Sequence, residues 1–361
     1  MMDIVYSILA FFVVISIIVV THELGHYAMA RVFGIKVTDF AVGWGPALFS
    51  VKDKHGTAWK LCAIPIGGYI KYLGDEDMTS LKSNKSLSKK DRAYSLAAQS
   101  PIKKSLVAVA GPLSNFLFAV LIFTYFFSVS GKIVSDNEIT MIDEGSVAAK
   151  EGLQLGDRIK TIEGSSVADF SDVERYVKSN PNIPLNFEIE RGGQVITKII
   201  TPESIEIKND GETVVFGKLG IGSNKVRREV YSVPKAFVVS INETMKITCF
   251  TLKTIGQMIT GNRGTKEMAS VIRISQYSGK FIKRGPAAFM WFIAMLSINL
   301  GLVNLFPIPP LDGGHILLHG VRGLVGDKWA NYFENYAVKI GVAILIALMA
   351  FTIVNDIIHL S

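Results

Sequence analysis

Two histidines four residues apart, with a glutamate directly after the first, occupy the run His22-Glu23-Leu24-Gly25-His26. In an α-helix, positions four apart share a face. Both imidazoles can therefore direct a nitrogen at one zinc ion, and Glu23 lies beside them, placed to accept a proton from water. The run sits in an apolar stretch: Ile4–Val20 carries no charge, and Ala28–Phe33 extends it past the motif. A helix through Phe33 is long enough to cross roughly 30 Å of bilayer hydrocarbon at about 1.5 Å per residue. Ionisable groups inside such a span are costly and mark function. Snorkelling at a helix end explains neither the His-Glu-x-x-His spacing nor the partner found downstream.

A mononuclear catalytic zinc takes three protein ligands and keeps a fourth position open, so a third ligand must come from elsewhere in the membrane region. The segment Asn304-Leu305-Phe306-Pro307-Ile308-Pro309-Pro310-Leu311-Asp312-Gly313-Gly314-His315 is the candidate. Its prolines break a helix, and Gly313 and Gly314 permit tight backbone geometry around Asp312. Broken backbone at membrane depth is tolerated where it is buried in protein or lines a cavity. Asp312 is the favoured third ligand and His315 its rival. His315 and His319 share the four-residue spacing but have no adjacent glutamate, and a polar role at the helix end also accounts for them.

Four stretches are long and apolar enough to span: Ile4–Phe33, Leu106–Val129, Ala287–Phe306 and Ala337–Ile358. The first lacks a basic n-region and a small-residue cleavage site, so it reads as an uncleaved span. Thirteen Lys and Arg lie from Arg31 to Lys104 and none in Met1–Ala10, which points the first span from outside to cytoplasm. The segment Gly131–Gly285 and both termini are then extracytoplasmic. The net charge of +7 follows from this topology and attraction to anionic lipid, and no nucleic-acid motif accompanies it. The two cysteines, Cys62 and Cys249, fall on opposite sides of the membrane, lack metal-ligand spacing and read as packing residues.

Between the first two spans, Phe40–Leu73 alternates β-favouring residues with Gly43, Gly45, Gly67 and Gly68. An exposed strand edge there, around Gly67, Gly68 and Tyr69, could bind an unwound peptide by β-augmentation; a hairpin packed on the helices is the alternative. The second span carries Ala110-Gly111-Pro112 and Asn115, whose small residues suit a packing wall; spacing gives Asn115 no catalytic role. The insert holds Gly145–Ile159, a short helix and glycine-bounded turn into a strand, then a helical stretch near Ser171–Lys178 and strands around Leu185–Ile200. It looks like one PDZ-like domain over Lys132–Thr201, able to bind peptide ends. Val233–Thr260 reads as an amphipathic helix lying on the outer membrane surface or connecting domains.

Taken together the chain resembles the site-2 protease family of intramembrane zinc metalloproteases, of the bacterial regulator-of-sigma-E protease type. The landmarks are HELGH at His22–His26, GWGP at Gly43–Pro46, IPIGGYIKYLGDED at Ile64–Asp77, AGPLSNF at Ala110–Phe116 and NLFPIPPLDGGH at Asn304–His315. The resemblance implies a Zn2+ cofactor on His22, His26 and Asp312, Glu23 as general base, and Asn304 holding the substrate backbone. It implies a bacterial inner-membrane protein acting on single-span membrane substrates such as anti-sigma factors or remnant signal peptides. The expected fold is a polytopic α-helical membrane protein with four transmembrane helices, a membrane-associated β-loop and an extracytoplasmic PDZ-like α+β domain.

The expected boundaries are 1–33 for the first span, 34–104 for the β-loop and basic linker, and 105–130 for the second span. Residues 131–232 form the PDZ-like domain and following strands, 233–285 the connecting helices, 286–320 the third span with the LDG motif, and 321–361 the fourth. Two departures stand out: relatives often have two PDZ units, and Met268–Ile274 replaces a Gly-Pro-Ile-Gly-like stretch. A non-catalytic membrane receptor using the PDZ-like domain is the competing function, and the intact His22, Glu23, His26 and Asp312 weigh against it. A zinc transporter fits less well, because the ionisable residues cluster at one depth and form no relay through the bilayer.

Overall fold

The computed structural model describes residues 2–74, 88–209, 212–261, 268–325 and 327–360. Asp75–Asp77 of the glycine-rich motif, and the linker residues after them to 87, lie outside these. The chain divides into two compact units, Met1–Thr124 with Phe237–Leu252 and Lys266–Ile358, and Tyr125–Ala236 with Lys253–Thr265 and His359–Ser361.

The first unit begins with α1 (Met2–Val32), one uninterrupted helix through the HELGH run. After it, β1 (Val37–Lys52) and β2 (Ala58–Tyr72) pair antiparallel around a turn built on Asp53. Asp53 accepts hydrogen bonds from the amides of His55 (2.8 Å) and Thr57 (2.9 Å) and from the Trp59 indole (3.0 Å). The hairpin is folded on itself: Phe40 is flanked by Ile70 on one side and by Trp59 on the other. Gly43 and Gly67, at φ 87° and 76°, supply left-handed backbone that an ordinary residue resists, and they bend the two strands. The bend lets Phe40, Ile70 and Tyr72 bury with Ala30, Ile35, Val37 and Val107, and Phe40 packs 4.5 Å from the Trp59 ring. The far half stays exposed through Trp44, Leu48, Phe49, Leu61 and Ile64. A short helix α2 (Lys89–Arg92), capped by Ser88, precedes α3 (Pro101–Val129). Gly25 abuts the Ala110 carbonyl, and Ser114 Oγ donates to Thr21 O at 2.7 Å, so α3 lies close against α1.

In the second unit the elements are β3 (Lys132–Ser135), β4 (Met141–Ile142), α4 (Val147–Lys150), β5 (Arg158–Ile162), β6 (Ser165–Ser166), α5 (Phe170–Lys178), β7 (Leu185–Arg191) and β8 (Gln194–Ile200). They are followed by β9 (Glu203–Asn209), β10 (Glu212–Lys218), β11 (Ile221–Gly222) and β12 (Val226–Glu229). One sheet runs β6-β5-β7-β8, and β9 and β10 form a hairpin. Alternate residues Leu185, Phe187 and Ile189 face a core shared with Ile159, Phe170, Val173 and Ile200, the two-residue period of a half-buried strand. Asp157, its side chain fully buried, is held by Arg191 through two contacts of 2.6 Å and by the Gln154 amide at 2.8 Å. The strands that follow Thr201, expected within 131–232, pair back onto the start of the insert. β11 pairs with β4, β12 pairs with β3, and Leu219 enters the core, so the first strands are completed from the end of the insert.

The remaining helices are α6 (Val233–Ile259), α7 (Val271–Lys283), α8 (Pro286–Asn304), α9 (Asp312–Val325) and α10 (Asp327–Leu360). α7 packs along the start of α1, where Gly279 meets Ser7, and it is tied to α10 by Arg273 to Asp356 at 3.0 Å. The segment 286–320 holds two helices, α8 and the start of α9, divided at the expected proline break, and α9 runs on through 321–325. Pro307, Pro309 and Pro310 lack the N–H that would continue α8. Gly313 and Gly314 let α9 start hard against the backbone of Leu305, Phe306 and Pro309. Among the described residues four helices are long and apolar enough to cross a membrane: Asp3–Val32, Pro101–Val129, Pro286–Asn304 and Tyr336–Ile358.

Candidate metal centre

The helical spacing in α1 stacks His22 and His26 on the face turned toward α3 and α9, and both are buried. Their Nε2 atoms lie 3.1 Å apart. Asp312, the first residue of α9, brings Oδ2 to 3.0 Å from His22 Nε2 and Oδ1 to 3.4 Å from His26 Nε2. Ligands at about 2.0–2.1 Å in a tetrahedron stand roughly 3.3–3.4 Å apart, so the three donors have the spacing of one zinc site. Apart from His22 Nε2, Asp312 Oδ2 has no polar partner among the described residues, and a cation among these donors would satisfy this buried atom. This is the group of metal-capable side chains found among the described residues, and it contains Asp312 and not His315. His315 stands one turn further along α9, its ring 6.3 Å from that of His319.

α3 supplies the back of the centre. A Cβ at Gly111 would overlap His26 Nε2 and stand 2.8 Å from His22 Nε2, so only a residue without one leaves room for the donors. In the turn of α3 before Pro112, the Val107 carbonyl lies 2.8 Å from His26 Nδ1. Asn115, fully buried, places its side-chain amide 3.3 Å from His22 Nδ1. Spacing in the sequence concealed this pairing, because 93 residues separate the two. The polar residue inside an apolar span was the one available signal.

Of the residues expected to bind substrate, Gly68 lies beside Glu23: a Cβ there would meet the Ala41 carbonyl, Val19 and, at 3.6 Å, Glu23 Cγ. Gly68 and Tyr69 pair with Val42 and Ala41, which leaves the other edge of this strand without a partner strand among the described residues. Gly67 abuts the indole nitrogen of Trp44, whose ring lies 5.6 Å from that of Tyr69. Asn304 is the half-buried last residue of α8, separated from Asp312 by the proline break.

The profile of Peptidase family M50 matches residues 10–348. The chain belongs to this family. Relatives of this M50 peptidase bear zinc metalloprotease names in Rhizobium meliloti, 36% identical over 360 residues covering 98% of this chain and 96% of that protein, and in Agrobacterium fabrum, 35% identical over 358 residues covering 97% and 95%. A protein of Caulobacter vibrioides named as a metalloprotease is 28% identical over 373 residues, covering 95% of this chain and 93% of that protein. The resemblance to the site-2 protease family is therefore borne out, and with its four apolar helices the M50 chain is a multi-pass membrane protein.

Proposed function

We propose that this M50 peptidase is a zinc-dependent endopeptidase that hydrolyses peptide bonds inside the transmembrane segments of single-span membrane proteins. The observation that carries this reading is the meeting of His22, His26 and Asp312 donors from two separate helices, beside Glu23, within the apolar bundle. Zinc held there supplies Lewis acidity toward water and toward the scissile carbonyl. Glu23 accepts the proton of the attacking water and returns it to the leaving amine. A helical substrate must unwind before its peptide group can reach these residues. The strand edge at Gly68 and Tyr69, unpaired among the described residues and with Gly68 beside Glu23, offers backbone partners for the extended form. Asn304 holds a substrate carbonyl in this reading.

The exposed apolar half of the hairpin suits contact with lipid. The closed strand pairs and α5 of the second unit support the PDZ-like reading, with peptide ends as its ligands. The charge distribution supports an extracytoplasmic insert and termini. Anti-sigma factors and remnant signal peptides are the proposed substrates, on the strength of the family resemblance. The test is cleavage of a single-span reporter by purified protein in detergent, with zinc content measured alongside. Wild type is expected to cut within the span, and Glu23→Gln to keep zinc and lose cleavage by several orders of magnitude. Cleavage by Glu23→Gln at the wild-type rate, or wild type free of zinc after metal-replete purification, would overturn the reading.

A further inference from the structure

We propose that Asn115 is a positioning residue that fixes the tautomer of His22, its side-chain oxygen accepting the Nδ1–H so that the Nε2 lone pair faces His26 and Asp312. The inference rests on the reading of His22 as a metal ligand. A neutral imidazole that ligates through Nε2 carries its proton on Nδ1, and a buried N–H needs an acceptor. For His26 the backbone provides one, the Val107 carbonyl at 2.8 Å, which can only accept. For His22 the neighbour of Nδ1 is the Asn115 amide at 3.3 Å, which can do either. If its NH2 end donates to Nδ1, the His22 proton moves to Nε2 and blocks the lone pair that ligation uses. If its oxygen faces Nδ1, the lone pair is free.

Among the described residues Asn115 Oδ1 is buried and without a partner, and a half-turn of the amide brings this atom onto His22 Nδ1. The oxygen left over in one arrangement is thus the acceptor that the metal-competent tautomer requires. The residue is also well held: its carbonyl accepts from Ser297 Oγ of α8 at 2.9 Å, and the neighbouring Ser114 ties α3 to α1. Both histidines are therefore oriented by one helix, at Val107 and Asn115.

The experiment measures zinc affinity of the full-length protein in detergent by chelator competition, together with the melting temperature of the zinc-free form. Asn115→Leu is expected to weaken zinc binding by about 10- to 100-fold, the usual effect of losing a partner of a ligating histidine. Asn115→Asp, which accepts and cannot donate, is expected to stay within a few-fold of wild type. Zinc affinity unchanged in Asn115→Leu overturns the proposal. So does equal weakening in both variants, because a residue needed only for packing or as a donor gives that pattern. Failure of the underlying reading looks different: His22→Ala then binds zinc as tightly as wild type, whatever the Asn115 variants do.

Discussion

The proposed metal centre, with donors from two helices backed by a third, depends at the scale of single residues on what is absent as much as on what is present. Gly111 stands where any side chain would collide with both histidine nitrogens. Helix propensity alone favours Gly111→Ala by about 1 kcal/mol, so the two effects have opposite signs and can be separated. Zinc affinity is expected to fall at least about tenfold, the scale of disturbed ligand orientation, while the zinc-free melting temperature holds or rises. Chelator competition and thermal unfolding of the same preparation check both halves, and undiminished zinc affinity would mean the donors have room to move. The HELGH run was legible because both histidines sit on one local helix. The parts played by Gly111 and Asn115 were not, since they depend on how far a second helix penetrates the first.

At the scale of the element, the β1–β2 hairpin depends on Asp53. The Trp59 indole and the Thr57 and His55 amides all hydrogen-bond its carboxylate, and they draw it down to about 2 against the opposing effect of burial. A carboxyl lowered on folding stabilises the hairpin above its ordinary value of about 4, and that contribution disappears as pH falls through the folded value. Trp59 fluorescence is expected to remain native at pH 4 and to change as pH approaches 2, whereas Asp53→Ala is expected to show the changed signal already at neutral pH. A transition centred near pH 4 in wild type would contradict this account. Alternating residues and glycines predicted the strands of this element. They did not predict its doubling back, because the two flanks of Phe40 are set by long-range pairing with Ile70 and Trp59.

For the whole molecule, the charge asymmetry around the first two spans points to an orientation that labelling can test. In a background lacking Cys62 and Cys249, Glu144→Cys in the second unit is expected to react with a membrane-impermeant thiol reagent added outside, and Ser88→Cys only after the membrane is opened. The reverse pattern would invert the topology and place the HELGH motif at the other face. Both positions are exposed, so accessibility reports on side and not on burial. The spans themselves were legible, since length and apolarity are local properties. The closure of the second unit was not: β3 and β4 find their partners in β12 and β11, about eighty to ninety residues away, and no local pattern marks that pairing.

The sequence by itself determined the spans, the pair of imidazoles on one helical face, the acid beside them and the proline break that carries Asp312. Each of these follows from residue types acting over one or two turns. Only the tertiary structure decided that Asp312 and not His315 stands with the two histidines, that the bent hairpin lays Gly68 against Glu23, and that Asn115 reaches His22. Those outcomes depend on differences of an ångström or two between elements tens to hundreds of residues apart. Close packing of small residues fixes such distances, and periodicity along the chain carries no record of them.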